Sequence, residues 1–220
     1  MAEITAKMVQ ELREKSGAGM MDCKKMLTEA GGDMAKAEEL LKQKGMASAA
    51  KKSGRTATEG VVTSYIHLGV KIGVLLEVNC ETDFAARNEG FQALVKDLSM
   101  QVAAAAPLYV RREEIPAELV KVEMDLVKAQ LREQKKPEAM LEKIAAGKLD
   151  KYFSEVVLLE QPFVKDDKKK VADIVAEAVA KIGENIQVRR FARYALGEGL
   201  EKKQENYAEE VAKAAGSVKS

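Results

Sequence analysis

The sequence predicts an α+β protein: an N-terminal bundle of three short helices, then a small antiparallel sheet with helices, and an inserted antiparallel helical hairpin. Three observations carry this. In the first 45 residues apolar side chains recur at helical spacing, and glycines mark each break. Beyond residue 60 the apolar period switches to two, as in a half-buried strand. After Pro116 two helical stripes follow one another across a connection so short that the helices must pack antiparallel.

The first helix spans about 5–15, with Thr5 as its cap and Met8, Val9 and Leu12 on one face. Ser16-Gly17-Ala18-Gly19 breaks it. The second, about 20–30, is expected to bury Met21 and Leu27, with Cys23 as a further candidate, and ends at Gly31-Gly32. Asp33 caps the third, which aligns Ala37, Leu40 and Leu41 and is expected to stop at Gly45. Residues 1–46 therefore form one small module. Residues 47–60 are Ala, Ser, Lys, Gly and Thr and read as an exposed linker whose first part can be helical. Its Lys51, Lys52 and Arg55 admit a nucleic-acid patch, but three charges in a polar stretch fit a solvated linker better.

Residues 61–200 form the predicted α+β core. Residues 61–68 make one strand. In the second, Ile72, Val74, Leu76 and Val78 alternate with Gly73, Leu75, Glu77 and Asn79, and Leu68-Gly69-Val70-Lys71 is short enough to close a hairpin. Phe91, Leu94, Val95, Leu98 and Val102 then give a helix with one buried stripe, ending before Pro107. In the hairpin, about 117–155, Leu119, Val122, Leu126 and Ala129 have the 3-4-3 spacing of a coiled-coil seam. Leu141, Ile144, Ala145, Leu149, Tyr152 and Phe153 carry the returning helix. Gln161-Pro162-Phe163-Val164 reads as extended, and 165–170 as a turn with an acid near the next helix start. Val171, Ile174, Val175, Ala178, Val179 and Ile182 form the cleanest stripe, closed by Gly183. A last strand begins at Ile186 and Val188, and a C-terminal helical module, 201–220, aligns Tyr207, Val211 and Ala214.

Composition narrows the function. Among 220 residues, 36 Lys and Arg balance 35 Asp and Glu, leaving +1, which lacks the basic excess that duplex binding draws on. Aromatics are 5% and Trp is absent, so stacking platforms for single strands are not expected either. No apolar run reaches the ~20 residues that span a bilayer. The N-terminal stretch, with Glu3, Lys7 and Glu11, does not read as a signal peptide. Two isolated cysteines, Cys23 and Cys80, fit a reducing compartment, so a cytoplasmic protein is expected. His67 is the only histidine, which excludes a multi-histidine metal centre. It sits beside a turn and reads as a strand-end hydrogen-bonding residue. No phosphate-binding loop of the G-x-x-x-x-G-K-[ST] type is present. No enzymatic activity and no cofactor are expected.

One segment resists a purely structural reading: Asn79-Cys80-Glu81-Thr82-Asp83-Phe84-Ala85-Ala86-Arg87-Asn88. A strand ends, a cap-type pair follows, and a large aromatic stands at a helix start. Thr82 or Asp83 capping a helical turn, with Phe84 tucked back on the sheet, accounts for it. So does a rigid tip that presents an acid and an aromatic together to a partner, an arrangement common at binding hot spots.

Three stretches resemble the translation elongation factor Ts family. They are Glu11-Leu12-Arg13 through Gly17-Ala18-Gly19-Met20-Met21-Asp22-Cys23-Lys24-Lys25; Glu77-Val78-Asn79-Cys80-Glu81-Thr82-Asp83-Phe84; and Gly183-Glu184-Asn185-Ile186-Gln187-Val188-Arg189-Arg190 with Gly197-Glu198-Gly199. They cover nearly the whole chain in the family's order. The resemblance implies a ubiquitin-associated-like N-terminal module and a guanine-nucleotide exchange factor for elongation factor Tu. Such a factor promotes GDP release by displacing the Mg2+- and phosphate-binding elements of that GTPase. It assigns the displacing wedge to Thr82, Asp83, Phe84 and Ala85, where the family usually has Val in place of Ala85. It further implies docking of the N-terminal bundle on the same GTPase, and a further contact near Tyr207. A chain with one copy of the core sheet implies a homodimer or a two-plus-two complex, with no direct nucleic-acid or membrane partner. The location would be the cytoplasm, or the plastid stroma in an organelle. The competing class is a plain interaction module in which the first 45 residues alone bind helical or ubiquitin-like ligands.

Overall fold

The computed structural model describes residues 4–134 and 137–200. The predicted C-terminal helix with Tyr207, Val211 and Ala214 lies outside them, as do Lys135 and Lys136 of the hairpin connection.

Helices α1 (Ala6–Ser16), α2 (Met20–Glu29) and α3 (Met34–Lys52) form the N-terminal bundle. The Thr5 hydroxyl accepts from Met8 N–H at 3.3 Å and the Asp33 carboxylate from Lys36 N–H at 3.1 Å, so both predicted caps close their helices. Val9, Leu12, Cys23, Met26, Leu27, Ala30, Ala37 and Leu41 make the bundle's core. Met21, expected inside, is 76% exposed. The buried stripe of α2 runs through Cys23, Met26, Leu27 and Ala30 at i, i+3, i+4 and i+7, and Met21 lies off it.

Helix α3 does not stop at Gly45 but continues to Lys52. A Cβ at Gly45 would come within 3.3 Å of the Ala180 Cβ, so glycine there lets α3 approach helix α8 (Val171–Ile182) closely. That packing offsets the ~1 kcal/mol a mid-helix glycine costs relative to alanine. The following Ala and Lys residues are good helix formers, and Ala49 packs on the main core.

Strands β1 (Glu59–Ile66), β2 (Ile72–Cys80) and β5 (Ile186–Ala195) form an antiparallel sheet in the order β1-β2-β5. Val74, Leu76, Val78 and Cys80 face inward against α5 (Glu89–Ala105) and α8. Phe91, Leu94, Val95, Leu98 and Val102 of α5 are all buried there, as the stripe predicted. Glu77 pairs with Arg190 and Val78 with Val188, so Arg189 bulges out of the ladder. The bulge shifts the alternation, keeping Val188 inward while Arg189 and Arg190 both stay exposed. Among the described residues nothing covers the opposite sheet face: Val62, Ile66, Leu75 and Tyr194 are exposed around the Glu77–Arg190 pair at 2.6 Å. That arginine holds the Glu77 carboxyl below its ordinary range.

At the β1–β2 turn His67 and Tyr65 are hydrogen-bonded at 3.0 Å, the strand-end role expected for the histidine. Val70 there has φ +50°, a left-handed conformation that disfavours a β-branched side chain. Val70→Asn is expected to stabilise the protein by about 1 kcal/mol, because asparagine tolerates this region. A thermal melt should show a rise of roughly 2–4 °C.

Helices α6 (Ala117–Glu133) and α7 (Glu138–Val156) form the predicted hairpin. Its seam lies on a different face of α6 from the expected one. Val127 and Leu131 are buried against Leu141 and Ala145, and Val120 and Met124 join Leu149 and Phe153, whereas Leu119, Val122, Leu126 and Ala129 stay exposed. Both sets have heptad-like spacing on α6. The extra contacts of Ile115 and Val157 at the hairpin base select the rotation observed. Residues 165–170 are likewise not a simple turn. Strand β4 (Asp166–Lys170) pairs with β3 (Pro162–Phe163), and buried Gln101 receives Val164 N–H at 2.8 Å and donates to Gln161 at 3.1 Å, fastening this hairpin to α5.

Candidate functional site

Strand β2 ends at Cys80 and the chain turns through Glu81 and Thr82 into α4 (Asp83–Ala86), a single helical turn. The Thr82 hydroxyl accepts from Ala85 N–H at 3.2 Å and is the N-cap, one of the two expected candidates. The Cys80 thiol donates to Thr82 C=O at 3.2 Å. Burial, with the Glu184 carboxylate adding to it, pushes that thiol above its ordinary range, and its side chain packs in the main core.

Ala85 and Ala86 are buried in the main core, at 5% and 3% exposure. They clamp one side of the turn to the sheet, which forces its other side outward. Phe84 is consequently 85% exposed. Of the two readings of this aromatic, tucked on the sheet or presented, the fold adopts presentation. Asp83 stands beside it and pairs with Arg87 at 2.6 Å, a surface contact of small energetic weight. The turn thus brings Thr82, Asp83 and Phe84 to the surface and takes Ala85 away from it. The alanine in place of the usual valine therefore bears on packing beneath the tip, since its side chain is not on the tip's outer face.

Other residues that hold this tip were not singled out for that role by sequence reasoning. Glu184 accepts from Thr82 N–H at 2.9 Å and from the Thr82 hydroxyl at 2.6 Å. Glu81 accepts from Asn185 N–H at 2.6 Å. Buried Asn185 donates its side-chain amide to Arg55 C=O at 2.7 Å. The sequence contained a signal in Gly183-Glu184-Asn185-Ile186, but pairing across more than a hundred residues is not readable from spacing.

A cleft of about 470 Å³ lies elsewhere, between the bundle and α8. It is bridged by Lys42–Asp173 at 4.0 Å, the Lys169–Glu177 pair at 2.8 Å lies on its α8 wall, and none of residues 81–88 lines it. Among the described residues no three of His, Cys, Asp or Glu stand where they could hold a metal ion, and no helix is long and apolar enough to cross a membrane.

An aromatic and an acid stand exposed together on a capped, core-anchored turn, so in class this is an α+β protein with a projecting aromatic tip. Comparison with known proteins gives the family. The profile described as Elongation factor TS matches residues 2–198. The chain is 73% identical to Elongation factor Ts of Anaeromyxobacter dehalogenans (strain 2CP-1 / ATCC BAA-258) over 219 residues, 100% of both chains. It is 59% identical to that of Myxococcus xanthus (strain DK1622), covering 99% of this chain and 100% of the relative. Against the Desulforamulus reducens protein it is 58% identical over 96% of this chain and 98% of the relative. The chain belongs to the elongation factor Ts family.

Proposed function

We propose that this chain is the guanine-nucleotide exchange factor for elongation factor Tu, acting in the cytoplasm during translation elongation without bond chemistry of its own. The observation that carries the reading is Phe84, 85% exposed on a turn whose other face is locked into the core. Phosphate and magnesium sites in a GTPase depend on close placement of loop amides and oxygen ligands. A rigid tip inserted against the elements that support those loops displaces them and weakens GDP binding without touching the nucleotide. By linkage, bound GDP weakens the GTPase's affinity for the factor by the same ratio. Asp83 and Phe84 form the wedge, and Thr82 and Ala85 fix it from above and below. The N-terminal module, 1–46, docks on the same GTPase, and residues 201–220 add a contact. The test is release of fluorescent GDP from elongation factor Tu with and without this protein. Release at the spontaneous rate at saturating factor would reject the reading.

We further propose that the chain acts as a homodimer, or in a two-plus-two complex with the GTPase. Support comes from the sheet face left open among the described residues, where Val62, Ile66, Leu75 and Tyr194 expose apolar side chains around the Glu77–Arg190 pair, the mixed surface that subunit contacts bury. Light scattering should give twice the 24.1 kDa chain mass at micromolar concentration, and Leu75→Glu should return it to one chain mass. A monomer in the unsubstituted protein, alone and with its GTPase, would reject the dimer.

A further inference from the structure

The turn between α8 and β5 makes a set of contacts that the wedge reading leaves without a role. Glu81 and Glu184 are linked reciprocally: each carboxylate accepts the backbone N–H of the residue that follows the other, Thr82 for Glu184 at 2.9 Å and Asn185 for Glu81 at 2.6 Å. Glu184 makes a second contact, accepting the Thr82 hydroxyl proton at 2.6 Å. That hydroxyl has one proton to give. Once it points at Glu184, the oxygen's lone pairs are left for Ala85 N–H, which lies 3.2 Å away. One carboxylate therefore sets both the backbone of Thr82 and the rotamer of the cap that starts α4.

The tip depends on such fixing. Helix α4 has four residues, Asp83–Ala86, and a single turn has no stability of its own. Burial of Ala85 and Ala86 holds one side, and the Asp83–Arg87 pair is a solvent-exposed contact. Direction of the Phe84 ring thus rests on the cap. The network also runs the other way along the chain. Asn185, 2% exposed, donates to Arg55 C=O at 2.7 Å, and Gln187 donates to Ser53 C=O at 3.0 Å. Ser53 is the C-cap of α3, so the exit of the N-terminal bundle is fastened to the same turn that fastens the tip.

We infer that Glu184 is a positioning residue for exchange. With Glu81 it locks the Thr82 cap, pre-orders the Asp83–Phe84 tip before the partner arrives, and fixes the tip relative to the bundle exit. Pre-ordering matters because a tip that must be ordered on contact spends binding free energy on its own backbone instead of on displacing the partner. The inference rests on the wedge reading above.

The experiment measures fluorescent-GDP release from elongation factor Tu over a range of factor concentrations, for the unsubstituted chain, Glu184→Ala, Glu184→Gln and Phe84→Ala. Glu184→Ala removes charge-assisted bonds and should lower the release rate at saturation about tenfold. Hydrogen exchange at Ala85 N–H should accelerate in the same variant while the sheet amides keep their protection. Glu184→Gln retains an acceptor for Thr82 N–H and an amide that can donate to the hydroxyl oxygen, so it should stay within about threefold of the unsubstituted rate. An unchanged saturating rate in Glu184→Ala, beside a large loss in Phe84→Ala, overturns the positioning role and leaves the wedge intact. If Phe84→Ala is also without effect, the wedge reading itself fails. A change confined to the concentration for half-maximal release would make Glu184 a docking contact, which overturns the inference. So would equal damage from Ala and Gln, which would show that charge and not geometry matters.

Discussion

Replacing Phe84 by alanine is expected to reduce the saturating rate of GDP release from elongation factor Tu by about thirtyfold, the effect of losing roughly 2 kcal/mol of contact that the wedge spends on displacing the partner. The fold should hardly register the change. Phe84 is 85% exposed, and exposed side chains outside special backbone positions usually move stability by no more than about 0.5 kcal/mol. Its backbone is kept helical by the Thr82 cap and by burial of its neighbours Ala85 and Ala86, none of which involves the ring. A thermal melt should therefore shift by at most about 2 °C while the exchange assay collapses. A melt that falls steeply would mean that the ring is packed in solution, and the wedge assignment would go with it.

The same substitution seven residues later should have the opposite signature. Phe91 opens the stripe of α5, has no solvent exposure, and packs in the cluster that joins β2, α5 and α8. Phe91→Ala removes a whole ring from a dry core whose sheet and helices cannot collapse to fill the gap, an expected loss of about 3–5 kcal/mol. In a chain of this length that corresponds to a fall of roughly 6–20 °C in melting temperature. Chemical denaturation gives the check: the midpoint should drop with little change in slope. A loss below about 1 kcal/mol would mean that the α5–sheet packing is looser than the buried stripe indicates.

These two phenylalanines show how far the sequence could be read. Phe91 was legible because it recurs with Leu94, Val95, Leu98 and Val102 at a helical period, and only burial explains such a stripe. Phe84 has no such partners. Its segment read more readily as a tucked ring than as a presented one, and resemblance to a family gave the residues a role without giving them a geometry. What decided the matter was the inward turn of Ala85 and Ala86, two small residues that contribute little to any pattern. The α6 seam shows the same limit in another form. Leu119, Val122, Leu126 and Ala129 and the set Val120, Met124, Val127 and Leu131 are both spaced for a coiled coil, and they lie on different faces of the helix. Contacts from Ile115 and Val157, distant in sequence from one another, choose between them.

By itself, then, the sequence determined the α+β class, the helical bundle ahead of the sheet, the Thr5 and Asp33 caps, the β1–β2 hairpin and the buried faces of β2 and α5. Each of these follows from periods and caps that act within a few residues, where spacing along the chain equals spacing in space. Only the tertiary structure decided that α3 runs past Gly45, because the reason is the close approach of Ala180 more than a hundred residues away. It likewise decided that Met21 stays outside, that Arg189 bulges from β5, and that Glu81 and Glu184 fasten the tip. Those outcomes belong to side chains whose partners are set by packing of separate elements, and no local pattern encodes a partner that only folding brings near.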